Sequence, residues 1–107
     1  MPTTYRVTPA SLADVEAIVD YLNEREPVAA VRFVEAVERT LEHIAHVPTA
    51  HPMFQTNRPQ LVGVRWRPVG GSFAKYLVFY RQADDDVVDV VRVLHGAQNI
   101  RRLLGAE

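Results

Sequence analysis

The stretch that decides the fold is Ala74-Lys75-Tyr76-Leu77-Val78-Phe79-Tyr80-Arg81. Its aromatic and β-branched side chains favour a central β-strand. The run from Val87 to His95 contains five valines and is too β-branched to favour a helix. Leu61 to Val69 alternates apolar with other residues, which predicts a strand with one packed face. Because Gly70-Gly71 and Asp84-Asp85-Asp86 are turn sequences between these runs, we expect a three-stranded antiparallel meander.

Two helices are predicted upstream of these strands, after a brief strand from Tyr5 to Thr8. Thr8 can cap the first helix, with Pro9 in its first turn. Glu26-Pro27 restarts the pattern, because proline does not continue a helix but opens one well. The apolar stripe of the first helix comprises Leu12, Val15, Ile18, Val19 and Leu22, and that of the second comprises Ala30, Phe33, Val34, Val37, Leu41 and Ile44. The short joint between them predicts a helical hairpin.

The order of these elements predicts an α+β fold in a single domain over residues 1–107. It runs from an N-terminal strand through the helical hairpin and a proline-rich loop to the meander. A short C-terminal helical segment follows Gly96, where Ile100, Leu103 and Leu104 recur. We expect the two helices to cover one face of the sheet and to leave the other face to solvent or a partner.

The composition excludes several classes of protein. The chain of 107 residues is 48% hydrophobic and 23% charged, which fits a globular domain and not a disordered or fibrous chain. It contains no cysteine, which excludes disulfides, thiolate metal sites and a cysteine nucleophile. No apolar run approaches the roughly 20 residues that cross a bilayer, and no secretory signal precedes Val7. We therefore expect a cytoplasmic protein with no membrane partner.

Charge is distributed unevenly although the formal net charge is only −1. Residues 1–57 contain four basic and eight acidic side chains, whereas residues 58–107 contain eight basic and five acidic ones. An acid-free stretch contains Arg58, Arg65, Arg67, Lys75 and Arg81. This stretch is either an anion-facing surface or a set of strands whose arginines face solvent.

No motif in the sequence indicates a metal or a cofactor. Gly70-Gly71 lacks the flanking residues of a phosphate-binding loop. His43, His46 and His51 have no further ligand at a zinc-binding spacing, so we interpret them as surface or packing residues. The aspartates at 84–86 are interpreted as a solvated turn rather than a cation site. We therefore predict no metal and no cofactor.

His95 ends the valine-rich strand, where a sheet exposes polar groups. It is either a general base or an anchor for Gly96 through hydrogen bonds, and without a partner nucleophile we favour the structural role. The strand arginines can grip phosphate or carboxylate if the strands bring them to one face, and the register that decides this is not visible in the sequence. They are Arg65, Arg67, Arg81 and Arg92.

Four segments in order resemble the RelE/ParE toxins of type II toxin–antitoxin modules, and the likeness covers roughly residues 5 to 104. They are Ala13-Asp14-Val15-Glu16-Ala17-Ile18, Pro27-Val28-Ala29-Ala30-Val31-Arg32-Phe33, Tyr76-Leu77-Val78-Phe79-Tyr80-Arg81 and Val90-Val91-Arg92-Val93-Leu94-His95-Gly96-Ala97. The closing His-Gly-Ala, followed by Ile100 and Leu103-Leu104, is most similar to the ParE branch.

The resemblance implies a toxin that is neutralised by a cognate antitoxin of the ParD type or similar. Such an antitoxin has a DNA-binding module and a flexible tail, so contact with DNA would come only through the antitoxin. The tail is expected to bury an apolar groove beside the helical hairpin and to pair with exposed strand edges. The residues expected to contact it are Leu22, Phe33, Val37 and Leu41.

The resemblance also implies a choice between two activities. ParE-like members inhibit DNA gyrase by binding, without chemistry of their own. RelE-like members cleave messenger RNA on the ribosome with basic residues and a late tyrosine, but three of those positions here are Tyr76, Gln98 and Leu104. We therefore predict a gyrase inhibitor that is not an enzyme, whose target contacts are Gln98, Asn99, Ile100, Arg101, Arg102, Leu103 and Leu104. Gln98-Asn99 replaces the Arg-Asp common in ParE-like chains.

Two alternatives stay open. One is an endoribonuclease that inhibits translation, for which the candidate catalytic residues are Arg65, Lys75, Arg81, Arg92 and His95. The other is a non-toxic protein whose remaining role is to bind its antitoxin and regulate its own operon.

Overall fold

The computed structural model describes residues 4–83 and 86–106, and within them the chain forms four strands and three α-helices. The elements are β1 (Thr4–Val7), α1 (Pro9–Arg25), α2 (Pro27–His46), β2 (Arg65–Pro68), β3 (Tyr76–Gln82), β4 (Val87–His95) and α3 (Ile100–Leu103). No helix in the described ranges is both long and apolar enough to cross a membrane. The predicted α+β fold, with its N-terminal strand, helical hairpin, meander and terminal helical segment, is confirmed.

The strands form one sheet in the order β1-β4-β3-β2. β2, β3 and β4 are the predicted antiparallel meander. β1 joins it as a parallel neighbour of β4, with Thr4 opposite Val87 and Val7 opposite Val90. Parallel neighbours need a long crossover, which the hairpin of α1 and α2 supplies. The helices consequently lie over one face of the sheet.

The predicted strand from Leu61 to Val69 is shorter than expected. Pro59–Leu61 is a 3-10 helix, and Gly63 has a φ of +88°. This left-handed residue interrupts the extended backbone, so that the strand begins only at Arg65. The predicted turn at 84–86 is described only at Asp86, whose φ is +62°, because Asp84 and Asp85 lie outside the described residues.

The main core lies between the helices and the sheet. Phe33 and Ile44 of α2 are 0% exposed and pack on the sheet residues Val78 and Tyr80. The apolar residues of α1 are only half-buried against this core, which leaves one flank of that helix uncovered. The Tyr80 hydroxyl donates to the Pro48 carbonyl at 2.9 Å, so the proline-rich loop is fixed to the central strand.

The other face of the sheet is not free, contrary to expectation. A second cluster covers it, in which Phe79 and Leu94 of the sheet pack against Leu61, Val64 and Leu104. The segment before β2 and the C-terminal segment both bring apolar side chains back over this face. The C-terminal residues are therefore part of the folded structure. Because they are held in place on the sheet, they can present side chains to a partner.

A β-bulge in β4 sets which side chains face which layer. Phe79 is opposite Arg92 and Tyr80 is opposite Val90, so Val91 is the extra residue. The extra residue shifts the alternation of side chains between the two faces of the sheet. As a result, Val90 and Val93, which are three residues apart, both pack in the helix-side core. Arg92 is thereby placed beside Phe79, on the face that the C-terminal segment covers.

Candidate functional site

Two amide side chains organise the terminal segment, residues 98–106, and one of them ties it to the sheet. Gln98 Oε1 accepts a hydrogen bond from His95 N at 2.7 Å, at the end of β4. Asn99 Oδ1 accepts from Arg102 N at 3.2 Å and caps α3. An arginine at position 98 would have no acceptor for His95 N. Gln98, where the resemblance implies an arginine, therefore supports the local fold through this hydrogen bond.

Most of the predicted target contacts are accessible. The exposed ones are Gln98, Asn99, Arg101, Arg102 and Leu103. Ile100 is half-buried against the second cluster. Leu104 is only 9% exposed and its side chain anchors the segment on the sheet, while its role as a target contact stays a prediction. Arg102 and Leu103 thus project from a helix whose next residue is fixed in the core.

The five basic residues considered for a nuclease do not all converge, although Arg81 and Arg92 line one open pocket. Lys75 directly precedes β3 and Arg81 is near its end, six residues later, which is about 20 Å in an extended strand. Arg65 is opposite Tyr80, on the helix-side face. Arg81 contacts the opposite layer, where its Nη1 donates to the Gln60 carbonyl at 2.9 Å. General acid–base chemistry needs groups within hydrogen-bond reach of one reacting atom, and this set does not provide them.

Several of these groups are also engaged locally. Arg65 Nη1 donates to the His51 carbonyl at 2.7 Å, and the Arg92 guanidinium is paired with Asp14. His95 Nδ1 accepts from Ala97 N at 3.0 Å, which ties the chain as it leaves β4. A hydrogen bond of this kind is what the structural interpretation of His95 predicts.

An apolar groove lies between β1 and the two long helices, and we name it the hairpin groove. It has a volume of about 140 Å³, with Val37 and Leu41 on α2 among its lining residues. Val7 and Leu12 also line it and are 42% and 50% exposed, so they form its accessible rim. Accessible apolar side chains next to a groove mark a surface that a partner can cover.

Three of the four residues predicted to contact an antitoxin are buried in this structure, and their role as antitoxin contacts stays a prediction. Val37 and Leu41 line the hairpin groove but are 5% and 4% exposed. Phe33 is 0% exposed and packs edge-on against Phe73 in the core. Leu22 is half-buried against the same core. The physical reason is that the apolar stripe of an amphipathic helix packs on its own sheet first, and only the rim remains for a partner.

The edges of the sheet differ in how they are occupied. At β2, Trp66 N donates to the Pro52 carbonyl at 3.1 Å, so the loop covers that edge. Past Val90, where the pairing with β1 ends, the edge of β4 is covered by α1, because Asp14 Oδ2 accepts a hydrogen bond from Val93 N at 3.0 Å. β1 is the outer strand on that side of the sheet, and its exposed residue Val7 is on the hairpin-groove rim. Within the described ranges, β1 is thus the edge best placed for strand addition.

His51 lies among like charges on the helix side of β2. Its ring centroid is 5.5 Å from that of His43, and its Nε2 is buried without a hydrogen-bond partner in the part of the chain described. Burial lowers the pKa of His51 from its usual 6.5, and the charges of Arg67, His43 and Arg65 lower it further. In residues 4–83 and 86–106 no group of three or more His, Asp or Glu residues is placed to hold a metal ion.

We expect this depressed pKa to make folding stability pH-dependent. Near and below pH 6.5 the unfolded chain binds a proton at His51 more readily than the folded chain does. The free energy of unfolding therefore has its full value above that pH and falls as the pH drops. Urea denaturation of wild type and His51→Gln between pH 7.5 and pH 5 measures the effect. The wild-type midpoint should fall more steeply than that of His51→Gln, while Arg32→Gln, a remote exposed charge on α2, should follow wild type. Parallel curves for wild type and His51→Gln would contradict the expectation.

Comparison with known proteins identifies the family of this chain. The sequence matches the family described as the ParE toxin of the type II toxin–antitoxin system parDE over residues 5–100. The chain belongs to the ParE toxin family. The match spans the whole sheet and the hairpin and ends at Ile100. Arg102 and Leu103, the exposed side chains of α3, therefore lie beyond the part that defines this ParE family member.

Two solved structures share the fold of this ParE family member. The chromosomal ParDE toxin–antitoxin system from P. aeruginosa is 18% identical, with a TM-score of 0.66 and coverage of 89% of this chain and 96% of that chain. The RelBE2 toxin–antitoxin complex from Mycobacterium tuberculosis is 23% identical, with a TM-score of 0.52 and coverage of 89% and 99%. At these identities the likeness shows the fold alone. No curated protein matches the sequence significantly.

Proposed function

We propose that this toxin inhibits DNA gyrase by binding it through the terminal segment, and that an antitoxin of the ParD type neutralises it in the cytoplasm. Binding, rather than chemistry, is the activity that the arrangement of side chains supports. Arg81 and Arg92 line one pocket, but Arg65 is on the other face of the sheet and Lys75 is at the other end of β3, so the five basic groups do not act together on one transition state.

The observation that carries the proposal is that the side chains of Arg102 and Leu103 are exposed on a short helix that is fixed to the sheet. Both are exposed on α3, while Leu104 and Ala106 next to them are 9% and 6% exposed in the second cluster. An arginine beside an apolar side chain on a fixed element is typical of a protein-binding surface. Because the element is already ordered, little conformational entropy is lost on binding.

The proposed antitoxin site is the hairpin groove together with the outer edge of β1. An apolar antitoxin side chain can fill the groove between Val7 and Leu12, and an extended antitoxin segment can pair with β1. The similar structures from P. aeruginosa and Mycobacterium tuberculosis are described as a toxin–antitoxin system and complex. In this proposal, contact with DNA comes only through the antitoxin.

The decisive experiment measures two targets with one protein. Purified antitoxin-free toxin is added to gyrase in supercoiling and DNA-cleavage assays, and messenger RNA integrity is followed in cells after induction. We expect loss of supercoiling, accumulation of cleaved DNA and intact messages. Fragmented messages with normal gyrase activity would support the nuclease alternative, and neither effect would support a non-toxic autoregulatory protein.

A matched pair of variants locates the target surface in the same assay. Leu103→Asp places a charge on α3 at a side chain that is 36% exposed, and Val62→Asp does the same at a side chain that is 63% exposed elsewhere. We expect only Leu103→Asp to lose gyrase inhibition. Equal inhibition by the two variants would place the target contact outside α3.

A further inference from the structure

One ion pair connects the helix layer to the terminal segment. Arg92 Nε donates to Asp14 Oδ2 at 2.7 Å and Arg92 Nη2 donates to Asp14 Oδ1 at 2.8 Å. The remaining terminal nitrogen, Nη1, donates to the Leu103 carbonyl at 2.8 Å. The side chains of Arg92 and Asp14 are 22% and 12% exposed. A guanidinium that forms a two-bond pair and a third bond to a carbonyl has one well-defined position.

The topology of the sheet explains why this contact exists. β1 pairs with β4 only as far as Val90, so the edge of β4 beyond it is open to α1. The bulge at Val91 places Arg92 on the side of the terminal segment, and its side chain reaches Asp14 on α1 around the open edge. Val93 N donates to Asp14 Oδ2 at 3.0 Å and fixes the carboxylate. Asp14, Arg92 and the Leu103 carbonyl together are named the edge clamp.

The terminal segment needs such a contact because α3 is only four residues long. A helix of that length is not stable by its own hydrogen bonds. Arg101 contributes two longer hydrogen bonds, of 3.3 Å to Gln55 O and 3.5 Å to Ala106 O. Arg92 forms the shorter bond, and it forms it at the C-terminal end of α3, where a cation satisfies a free carbonyl and interacts favourably with the helix dipole.

We infer that Arg92, held by Asp14, is a positioning residue that fixes Leu103 and its neighbours in the conformation that meets the target. The inference rests on the proposed function of the terminal segment. Arg92 itself does not contact the target, since its three donor nitrogens are directed at Asp14 and Leu103. Its role is to hold α3 in one conformation before binding, so that less conformational entropy is lost when the target binds.

The test compares Arg92→Lys with a matched variant, Arg6→Lys. Lysine keeps the charge and can pair with Asp14, but one ammonium group does not reproduce the fork that also reaches Leu103. Arg6 forms the other arginine–aspartate pair of this sheet, with Asp89 at 2.7 Å, and its side chain is 64% exposed. Amide hydrogen exchange is measured at Leu104 and Ala106, whose N–H groups donate to Ile100 O and Arg101 O. Gyrase inhibition is measured with the same proteins.

We expect Arg92→Lys to accelerate exchange at these amides about tenfold and to raise the inhibitory concentration for gyrase by a similar factor, because one charge-assisted hydrogen bond is lost. Exchange in β3 and α2 should stay at the wild-type rate, and Arg6→Lys should match wild type in both assays. Asp14→Asn should reproduce the Arg92→Lys result, since it weakens the same clamp.

Three results would overturn the inference. They are unchanged exchange at Leu104 and Ala106, faster exchange throughout the sheet, and faster local exchange with unchanged gyrase inhibition. If wild-type protein does not inhibit gyrase at all, the proposed function fails, and the exchange data still decide whether Arg92 positions the segment.

Discussion

Phe33→Ala is expected to destabilise the protein by about 3–5 kcal/mol, a large part of the total stability of a domain of this size. Phe33 is 0% exposed, and its ring packs edge-on against Phe73 at 5.4 Å and Tyr76 at 5.1 Å between ring centroids. Truncation removes these contacts and leaves a cavity that α2 and the sheet cannot close. Chemical denaturation followed by circular dichroism measures the loss.

The matched control for Phe33→Ala is Val31→Ala on the same helix. Val31 is 60% exposed, so its truncation should change the free energy of unfolding by less than about 0.5 kcal/mol. Antitoxin affinity gives a second readout, since the resemblance to RelE/ParE toxins implies that Phe33 contacts the antitoxin. A stable Phe33→Ala protein with impaired antitoxin binding would show that Phe33 belongs to the partner surface and not to the core.

Phe33 shows what helical spacing can predict and what it cannot. Helical spacing identified the apolar stripe of α2, and the stripe does face inward as such a pattern requires. The same spacing does not say whether a buried stripe meets the sheet or a partner. That distinction depends on the surface left uncovered after packing, and the exposed apolar residues that line the hairpin groove are Val7 and Leu12.

Neither the covering of the second face of the sheet nor the edge clamp could be predicted from the sequence, since both depend on contacts between residues that are far apart in the chain. The contact between Asp14 and Arg92 joins residues 78 positions apart, and it depends on a bulge at Val91 that no local signal in five valines marks. Gln98 and Asn99, by contrast, were identified as a departure from the family pattern. Gln98 accepts a hydrogen bond that an arginine could not accept, whereas the helix cap that Asn99 supplies is one that an aspartate would supply as well.

Leu12→Glu is expected to weaken antitoxin binding about 100-fold without unfolding the toxin, which corresponds to about 2.7 kcal/mol. Leu12 is 50% exposed on the rim of the hairpin groove, so a carboxylate there would have to be desolvated when an apolar antitoxin side chain enters. The toxin itself should tolerate the change, because a negative charge near the N-terminus of α1 is favourable for the helix.

The experiment titrates wild type, Leu12→Glu and Val28→Glu with the purified cognate antitoxin in a calorimeter. Val28 is 59% exposed on α2 and does not line the hairpin groove, so Val28→Glu controls for the added charge. Gyrase inhibition by free Leu12→Glu should equal that of wild type, since α3 lies on the other face of the sheet. Wild-type affinity in Leu12→Glu, with loss in Val28→Glu, would move the antitoxin to the outer surface of α2. Loss of both activities in Leu12→Glu would instead mean that antitoxin and target share one surface, and neutralisation would then occur by direct competition.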